Sequence, residues 1–259
     1  RPGLELGVVG LMTVQFAVKG DRISVIEVTP RASRTVPFVS KATGRPLAKI
    51  ALRAMLGTRL AAQGVADAVR PQHFSVKESV FPFAKFRGVD TQLGPEMRST
   101  GEVMGIATSL AEAFGKAQIA AGVTLPRSGN VFISVKDSDK PGACEVARRF
   151  VEMGWGIVAT GGTADAFAKQ GIAATRVKKV REGSPHIVDM VHEGKIALVV
   201  NTTIGAKSIR DSYSIRRQTL LSNVPICTTV AGALAVAEAI RADVGASPTV
   251  RSLQEWNEG

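Results

Sequence analysis

The chain has 259 residues, 45% apolar and 21% charged, which suits one large or two smaller globular domains with a substantial buried core. No run of about 18 apolar residues occurs, which argues against a membrane-spanning helix, and two cysteines, Cys144 and Cys227, are too few for a disulfide framework or a cysteine metal site. The net charge of +11 is spread out, +7 over residues 1–120 and +4 over 121–259, with a single Tyr, so it suits small anions or an acidic partner better than stacked single-stranded nucleic acid.

The first predicted elements are two strands, Leu11–Lys19 and Arg22–Val28, rich in Val, Ile and Phe and joined by the turn residues Gly20 and Asp21. This hairpin sets Gln15 and Glu27 on adjacent strands, with Arg31 and Arg34 on the polar turn behind. A carboxylate and an amide beside two guanidiniums suit a Mg²⁺-nucleotide and an anionic intermediate. Glu27 lies inside the apolar run VIEV, which predicts a carboxylate buried against a cation. The alternative is a buried Glu–Arg pair that serves structure only.

Pro46–Leu56 carries apolar residues at helical spacing and stops at Gly57; His73–Phe83 reads as extended, 82–95 as a Pro- and Gly-rich loop, and Ser109–Ala120 as an Ala-rich helix. Residues 121–129 form the candidate linker. Beyond it strands and helices alternate: strand Asn130–Lys136, helix Pro141–Met153, strand Gly156–Thr160, helix Thr163–Gln170, extended Ala174–Val180 and helix Pro185–Glu193. Strand Ala197–Thr202, helix Asp211–Leu221, extended Pro225–Thr229 and helix Ala231–Ala242 complete the series, and 243–259 is expected as an extended surface tail. Such alternation implies a parallel sheet covered on both faces, that is, an α/β domain.

Ligands of open parallel sheets bind at the carboxyl ends of the strands. There the sequence offers Ser134, Lys136 and Lys140, then Thr160-Gly161-Gly162-Thr163, Lys178 and Lys179, Asn201-Thr202-Thr203, and Thr228-Thr229. Hydroxyls, an amide, lysines and a glycine turn opening a helix make a phosphate cradle. Taken singly, each is also ordinary turn or surface chemistry. No strand end offers a carboxylate base, and His186 with Asp189 reads as a helix-start capping pair, so the site looks built to bind a phosphorylated ligand and not to transform it.

The segments VQFAVK, IEVTPRASRTVPFVSKATG, LGPEMRSTGEVMG, VREGSPHIVD, NTTIGAKSIRDSYSIRR and VRSLQE together, in this order, resemble the C-terminal end of the large chain of carbamoyl-phosphate synthase over nearly the whole sequence. The resemblance implies a partial ATP-grasp segment over 1–120, the 121–129 linker, a Rossmann-like, methylglyoxal-synthase-like regulatory domain over 130–242 and a tail over 243–259. It implies ATP with Mg²⁺ or Mn²⁺, K⁺ being a further candidate, bound by Gln15 and Glu27, and carbonyl-phosphate-type intermediates steadied by Arg31 and Arg34. Thr29 stands where the family usually has an Asn ligand; its shorter hydroxyl predicts weaker Mg²⁺ binding.

In the regulatory part the resemblance assigns a nucleoside monophosphate (UMP or IMP in bacterial members) to Ser134, Lys140, Thr160, Thr163, Lys179, Asn201 and Thr203. An ornithine-type activator would draw on Glu78 and Thr228, although Ile226 stands where an aromatic is frequent. Gly161 replaces a His seen in some members. The implied partners are the rest of the large chain and a glutamine amidotransferase small chain, with self-association through the regulatory domain left open. Neither nucleic acid nor a membrane is expected, and the cytoplasm is the expected compartment. The implied activity is glutamine-hydrolysing carbamoyl-phosphate synthesis for arginine and pyrimidine production. A chain that begins Arg1-Pro2-Gly3 looks cut from something longer and is expected to be inactive alone; the alternative is a stand-alone nucleotide sensor. A methylglyoxal-synthase-type lyase would need an acid that Ile204–Arg210 does not supply.

Overall fold

A computed structural model describes residues 2–65, 68–85, 89–94, 96–243 and 249–258. The chain forms two compact units, Arg1–Ser75 with Thr249–Gly259, and Val76–Pro248. The compact units therefore part between Ser75 and Val76, and residues 121–129 lie within the second of them.

The first unit opens with α1 (Pro2–Glu5) and the hairpin β1 (Thr13–Lys19) and β2 (Arg22–Thr29). The strands are antiparallel, and a bulge past Gln15 makes Phe16 face Val25 after Gln15 faces Glu27. Cross-strand register puts Val14, Phe16, Val18, Ile23, Val25 and Val28 on one face and Gln15 and Glu27 on the other. The expectation that Glu27 is buried is corrected: β2 is exposed from Arg22 to Glu27. An apolar run buries its carboxylate only when something covers it, and Ile23, Val25 and Ile26 are themselves more than half exposed.

Helices α2 (Thr35–Thr43) and α3 (Leu47–Met55) follow. The sequence pattern hides α2 behind β-branched residues and Pro37. That proline lies in the first turn, where its missing N–H costs no helical bond, and Gly44 at φ 66° closes the helix. The tail is also corrected. Leu253–Asn257 forms a helix whose cap, Ser252, accepts from Glu255 N (3.2 Å) while the Glu255 carboxylate accepts from Ser252 N (2.6 Å). Trp256 on that turn meets His73 edge-on at 5.6 Å, and Asn257 donates to Lys41 O at 3.1 Å.

β3 (Phe74–Val80), which lies in the second unit from Val76 on, pairs with β4 (Gly101–Ala107), and α4 (Leu110–Ala120) follows. β4 was not foreseen; its small residues serve close packing. A Cβ at Gly105 would collide with Ala113 O and Ala117 N, and Ala113 and Ala117 are fully buried.

The main sheet comprises β5 (Asn130–Ser134), β6 (Gly156–Thr160), β7 (Thr175–Val177), β8 (Leu198–Asn201) and β9 (Ile226–Cys227), all parallel in the order β7-β6-β5-β8-β9. Between them run α5 (Lys140–Glu152), α6 (Gly161–Ala168), α7 (Ile187–His192), α8 (Gly205–Asp211), α9 (Tyr213–Leu221) and α10 (Val230–Asp243). The α/β expectation is met. Alternate residues of each strand feed opposite cores. Val131, Ile133, Ile157, Ala159, Leu198 and Val200 pack with Phe150, Phe167 and Ile240. Phe132, Val158 and Val199 pack with Ile187, Val191 and Ile215. Each fully buried Phe, Leu or Ile contributes about 1.5–3 kcal/mol. Strand order reverses between β5 and β8, which leaves a crevice at their carboxyl ends.

Candidate functional site

The ends of β5, β6 and β8 are stitched together by their own polar groups. Ser134 and Asn201 are register partners, and Asn201 Nδ2 and Thr202 N both donate to Ser134 O, at 3.2 and 3.1 Å. Ser134 Oγ and Thr160 Oγ1 lie 3.0 Å apart; Thr163 Oγ1 accepts from Val135 N at 3.3 Å and Thr202 Oγ1 from Lys136 N at 3.1 Å. These bonds fix the loop backbones, and Thr160, Thr163, Asn201 and Thr202 are buried by them.

Above them lies a cavity of about 670 Å³ whose lining includes Ser134, Lys140, Thr160, Thr163, Lys179, Asn201 and Thr203, all seven residues assigned from the sequence. They come from four strand ends and the start of α5. Helix α6 opens directly on the glycine turn, with Thr160 in its extended N-cap position and no side-chain cap bond. No capping side chain therefore competes for its first N–H groups, which suit an anionic acceptor. Lys140 Nζ reaches this turn: a Cβ on Gly162 would lie 3.5 Å from it.

Three carboxylates the strand-end reading missed also line the cavity: Asp137, Glu182 and Asp211. None is a free base. Asp137 Oδ1 lies 2.8 Å from Lys140 Nζ, whose hydrogen bond and charge hold the Asp137 carboxyl below the usual Asp range. Glu182 accepts from Lys179 N at 2.9 Å, and Asp211 pairs with Arg181. They enter from a short 3₁₀ turn after β5, a second 3₁₀ turn before α7 and the end of α8, so listing strand termini could not find them. His186 and Asp189 form a capping box: His186 N donates to Asp189 Oδ2 at 2.8 Å, and this bond leads those that lower the Asp189 pKa. Lys178 does not line this cavity.

Glu78 and Thr228 share a second cavity, of about 640 Å³, and Asn201 and Thr203 belong to both walls. Burial pushes the Glu78 carboxyl up, opposed by hydrogen bonds from Ser79 N and from Gln118 Nε2, the latter at 3.0 Å. Cys227 beside it is pushed up to about 12 by burial, which leaves it an inert thiol.

On the hairpin, Gln15 and Glu27 are register partners on the polar face, and Thr29 Oγ1 donates to Glu27 Oε1 at 2.6 Å. Arg31 is exposed and donates to Ala32 O at 2.8 Å, and Arg34 precedes α2 as its N-cap. An amide oxygen, a carboxylate and a hydroxyl on one face are hard oxygen donors, the set that fits Mg²⁺ or Mn²⁺ with phosphate oxygens and waters filling the remaining positions.

Two family models match the chain. Residues 4–63, which contain Gln15, Glu27, Arg31 and Arg34, match the carbamoyl-phosphate synthase L chain, ATP binding domain, and residues 142–228, which contain Thr160 to Thr228 of the cavities, match the MGS-like domain. An ATP-grasp-type segment followed by a Rossmann-like MGS domain is thus the class of the chain. The carbamoyl phosphate synthase large chain of Pseudomonas aeruginosa is 55% identical over 259 residues, all of this chain and 24% of that protein. That of Myxococcus xanthus is 55% identical over 252 residues (97% of this chain, 23% of that protein), and that of Rhizobium meliloti 52% over 258 residues (98% and 22%). The chain belongs to the carbamoyl phosphate synthase large-chain family and spans about a quarter of the length of the curated relatives it matches.

Proposed function

We propose that this chain serves a glutamine-hydrolysing carbamoyl-phosphate synthase in two ways, as one wall of the site that phosphorylates carbamate and as the regulatory domain that senses nucleoside monophosphates. The observation that carries the regulatory half is the convergence of the seven residues the resemblance assigns, on four strand ends and one helix start, around a single cavity. The phosphate of UMP or IMP sits on the N–H groups opening α6, with Lys140 and Lys179 neutralising it and the Ser134, Thr160 and Thr163 hydroxyls fixing its oxygens. Asn201 and Thr203 form the wall shared with the cavity of Glu78 and Thr228, where an ornithine-type ammonium group would meet the Glu78 carboxylate.

In the catalytic half, Gln15 and Glu27, with Thr29 behind them, would hold Mg²⁺ or Mn²⁺, which would supply charge neutralisation for the phosphates of ATP. Thr29 Oγ1 donates to Glu27 Oε1 and so competes with a cation for that carboxylate oxygen, and its hydroxyl reaches less far than an amide oxygen would. Arg31 and Arg34 supply planar donors for the carbamate and carbamoyl-phosphate oxygens. The γ-phosphoryl group passes to a carbamate oxygen, leaving ADP. Alone the chain is inactive, since these residues form one wall of the pocket; its setting is arginine and pyrimidine synthesis in the cytoplasm, with the rest of the large chain and a small amidotransferase chain as partners.

Calorimetric titration of the purified chain with UMP and IMP tests the reading. We expect one site per chain with micromolar affinity, weakened at least tenfold by Lys140→Ala, on the order of one charge-assisted contact. Absence of binding by both nucleotides refutes the regulatory assignment.

A further inference from the structure

Next to the cradle lies a smaller cavity, of about 430 Å³, lined by Gly161, Gly162, Arg176, Val177, Lys178, Lys179 and Glu182. Gly162, Lys179 and Glu182 line both cavities, so the two adjoin across the turn that opens α6. The smaller one is rich in positive charge. Arg176, Lys178 and Lys179 come from the end of β7 and the residues after it, and the register Ala159↔Arg176 brings Arg176 alongside β6 just before the glycine turn.

What opens this space is the missing side chain at position 161. A Cβ there would lie 2.5 Å from Arg176 Nη2 and 3.2 Å from its Cζ, so the guanidinium occupies the volume that any other residue would fill. Asp165, one turn into α6, holds Arg176 from the other side with Oδ1 at 3.1 Å from Nη1. Arg176 is thereby parked over the helix N-terminus, with part of its fork still exposed. A fork of guanidinium donors flanked by two lysines recognises a phosphoryl group.

We infer that Arg176 and Lys178 form a second phosphoryl subsite contiguous with the cradle, and that this chain therefore prefers a nucleoside 5′-diphosphate to the matching monophosphate. The inference rests on the proposed nucleotide reading of the larger cavity and specifies its ligand class further. One phosphoryl group occupies the α6 turn with Lys140, and its neighbour lies across Gly162, between Arg176 and Lys178, with Lys179 shared.

The test is titration calorimetry of the whole chain with UMP and with UDP at fixed ionic strength. The unmodified chain is expected to bind UDP about fivefold more tightly than UMP, a modest ratio because Arg176 is well exposed and its contacts are screened. The double variant Arg176→Ala/Lys178→Ala should bring the two affinities together while leaving that for UMP unchanged within twofold. Gly161→Ala removes no charge and sits at a backbone angle open to alanine, yet its methyl displaces the guanidinium; it should shrink the preference in the same direction. Equal affinities in the unmodified chain, or a preference that survives both variants, overturn the second subsite and leave the cradle standing. Failure to bind either nucleotide overturns the cradle and the subsite with it.

Discussion

Removing Asp90 should destabilise the second unit more than removing its partner Arg216. The Arg216 side chain is 5% exposed, yet its guanidinium is charged; Nε and Nη2 donate to the two Asp90 oxygens at 2.7 and 2.6 Å, and Nη2 also donates to Ile209 O at 3.0 Å. Asp90→Ala leaves that buried cation with one carbonyl. Breaking a buried pair costs about 3–5 kcal/mol, and since the Asp90 side chain is 30% exposed the lower end applies, about 3 kcal/mol. Arg216→Met keeps the packing and leaves a carboxylate that water can reach, so its cost is about half as large.

The chain has two tryptophans, one in each compact unit, and Trp155 packs edge-on against Phe150 at 5.0 Å in the core of the second. In a Trp256→Phe background, urea unfolding followed by fluorescence reports on that unit alone. The Arg216 hydrogen bond holds the Asp90 carboxyl below the usual Asp value, against an opposing push from burial. A depressed carboxylate stabilises above the unfolded value, near 3.9, and loses its contribution as pH falls through the folded value. The gap between the unmodified chain and Asp90→Asn is therefore full at pH 7 and narrows steadily below pH ~4. Equal costs for Asp90→Ala and Arg216→Met, or a gap unchanged at pH 3, would refute this account.

Two further outcomes follow from the same geometry. Asp137→Asn frees Lys140 from its counter-ion and should tighten UMP binding about two- to fivefold at low salt, an effect that salt erases; because Lys140 keeps Asp137 ionised below its usual pKa, the difference should still be present at about pH 4, and calorimetry at pH 7 and about pH 4 reads it. Gly105→Ala drives a methyl into the α4 backbone at Ala113 and Ala117 and should cost about 3 kcal/mol, read as a fall in urea midpoint at unchanged slope; a midpoint shift equivalent to less than ~1 kcal/mol contradicts the close approach of β4 and α4.

The parallel sheet was legible because its central strands β5, β6 and β8 are apolar runs bounded by turn residues. Local patterning carries that information, and strand-end chemistry then follows from topology alone. Other features depend on partners far along the chain. The Asp90–Arg216 pair joins residues 126 apart, and nothing near Asp90 announces a buried guanidinium. β4 escaped notice because GEVMGIA has the small residues demanded by α4, and small residues carry no strand signature. α2 was hidden by β-branched residues whose low propensity is outweighed by packing and by a left-handed Gly44 stop. The tail helix depends on a capping box that sequence does hold, in Ser252 and Glu255, and reading S-x-x-E there would have found it.

Burial of Glu27 failed for a different reason, and the failure bears on how the chain works. A period-2 apolar pattern states which face of a strand is meant to be covered, not what covers it. Val14, Phe16, Val18, Ile23, Val25 and Val28 obey that pattern, while several remain more than half exposed. The cradle has no such dependence. Its hydroxyls, amide and loop N–H groups are bonded to one another across three strand ends, the Lys140 ammonium meets the Asp137 carboxylate, and the Lys179 backbone N–H donates to Glu182, all within the same unit. On the proposed reading, binding there would exchange Asp137 for a phosphate oxygen on Lys140 without ordering new backbone, whereas Gln15 and Glu27 lie on an exposed hairpin. Of the two proposed sites, the strand-end cradle is the one already held together within one compact unit.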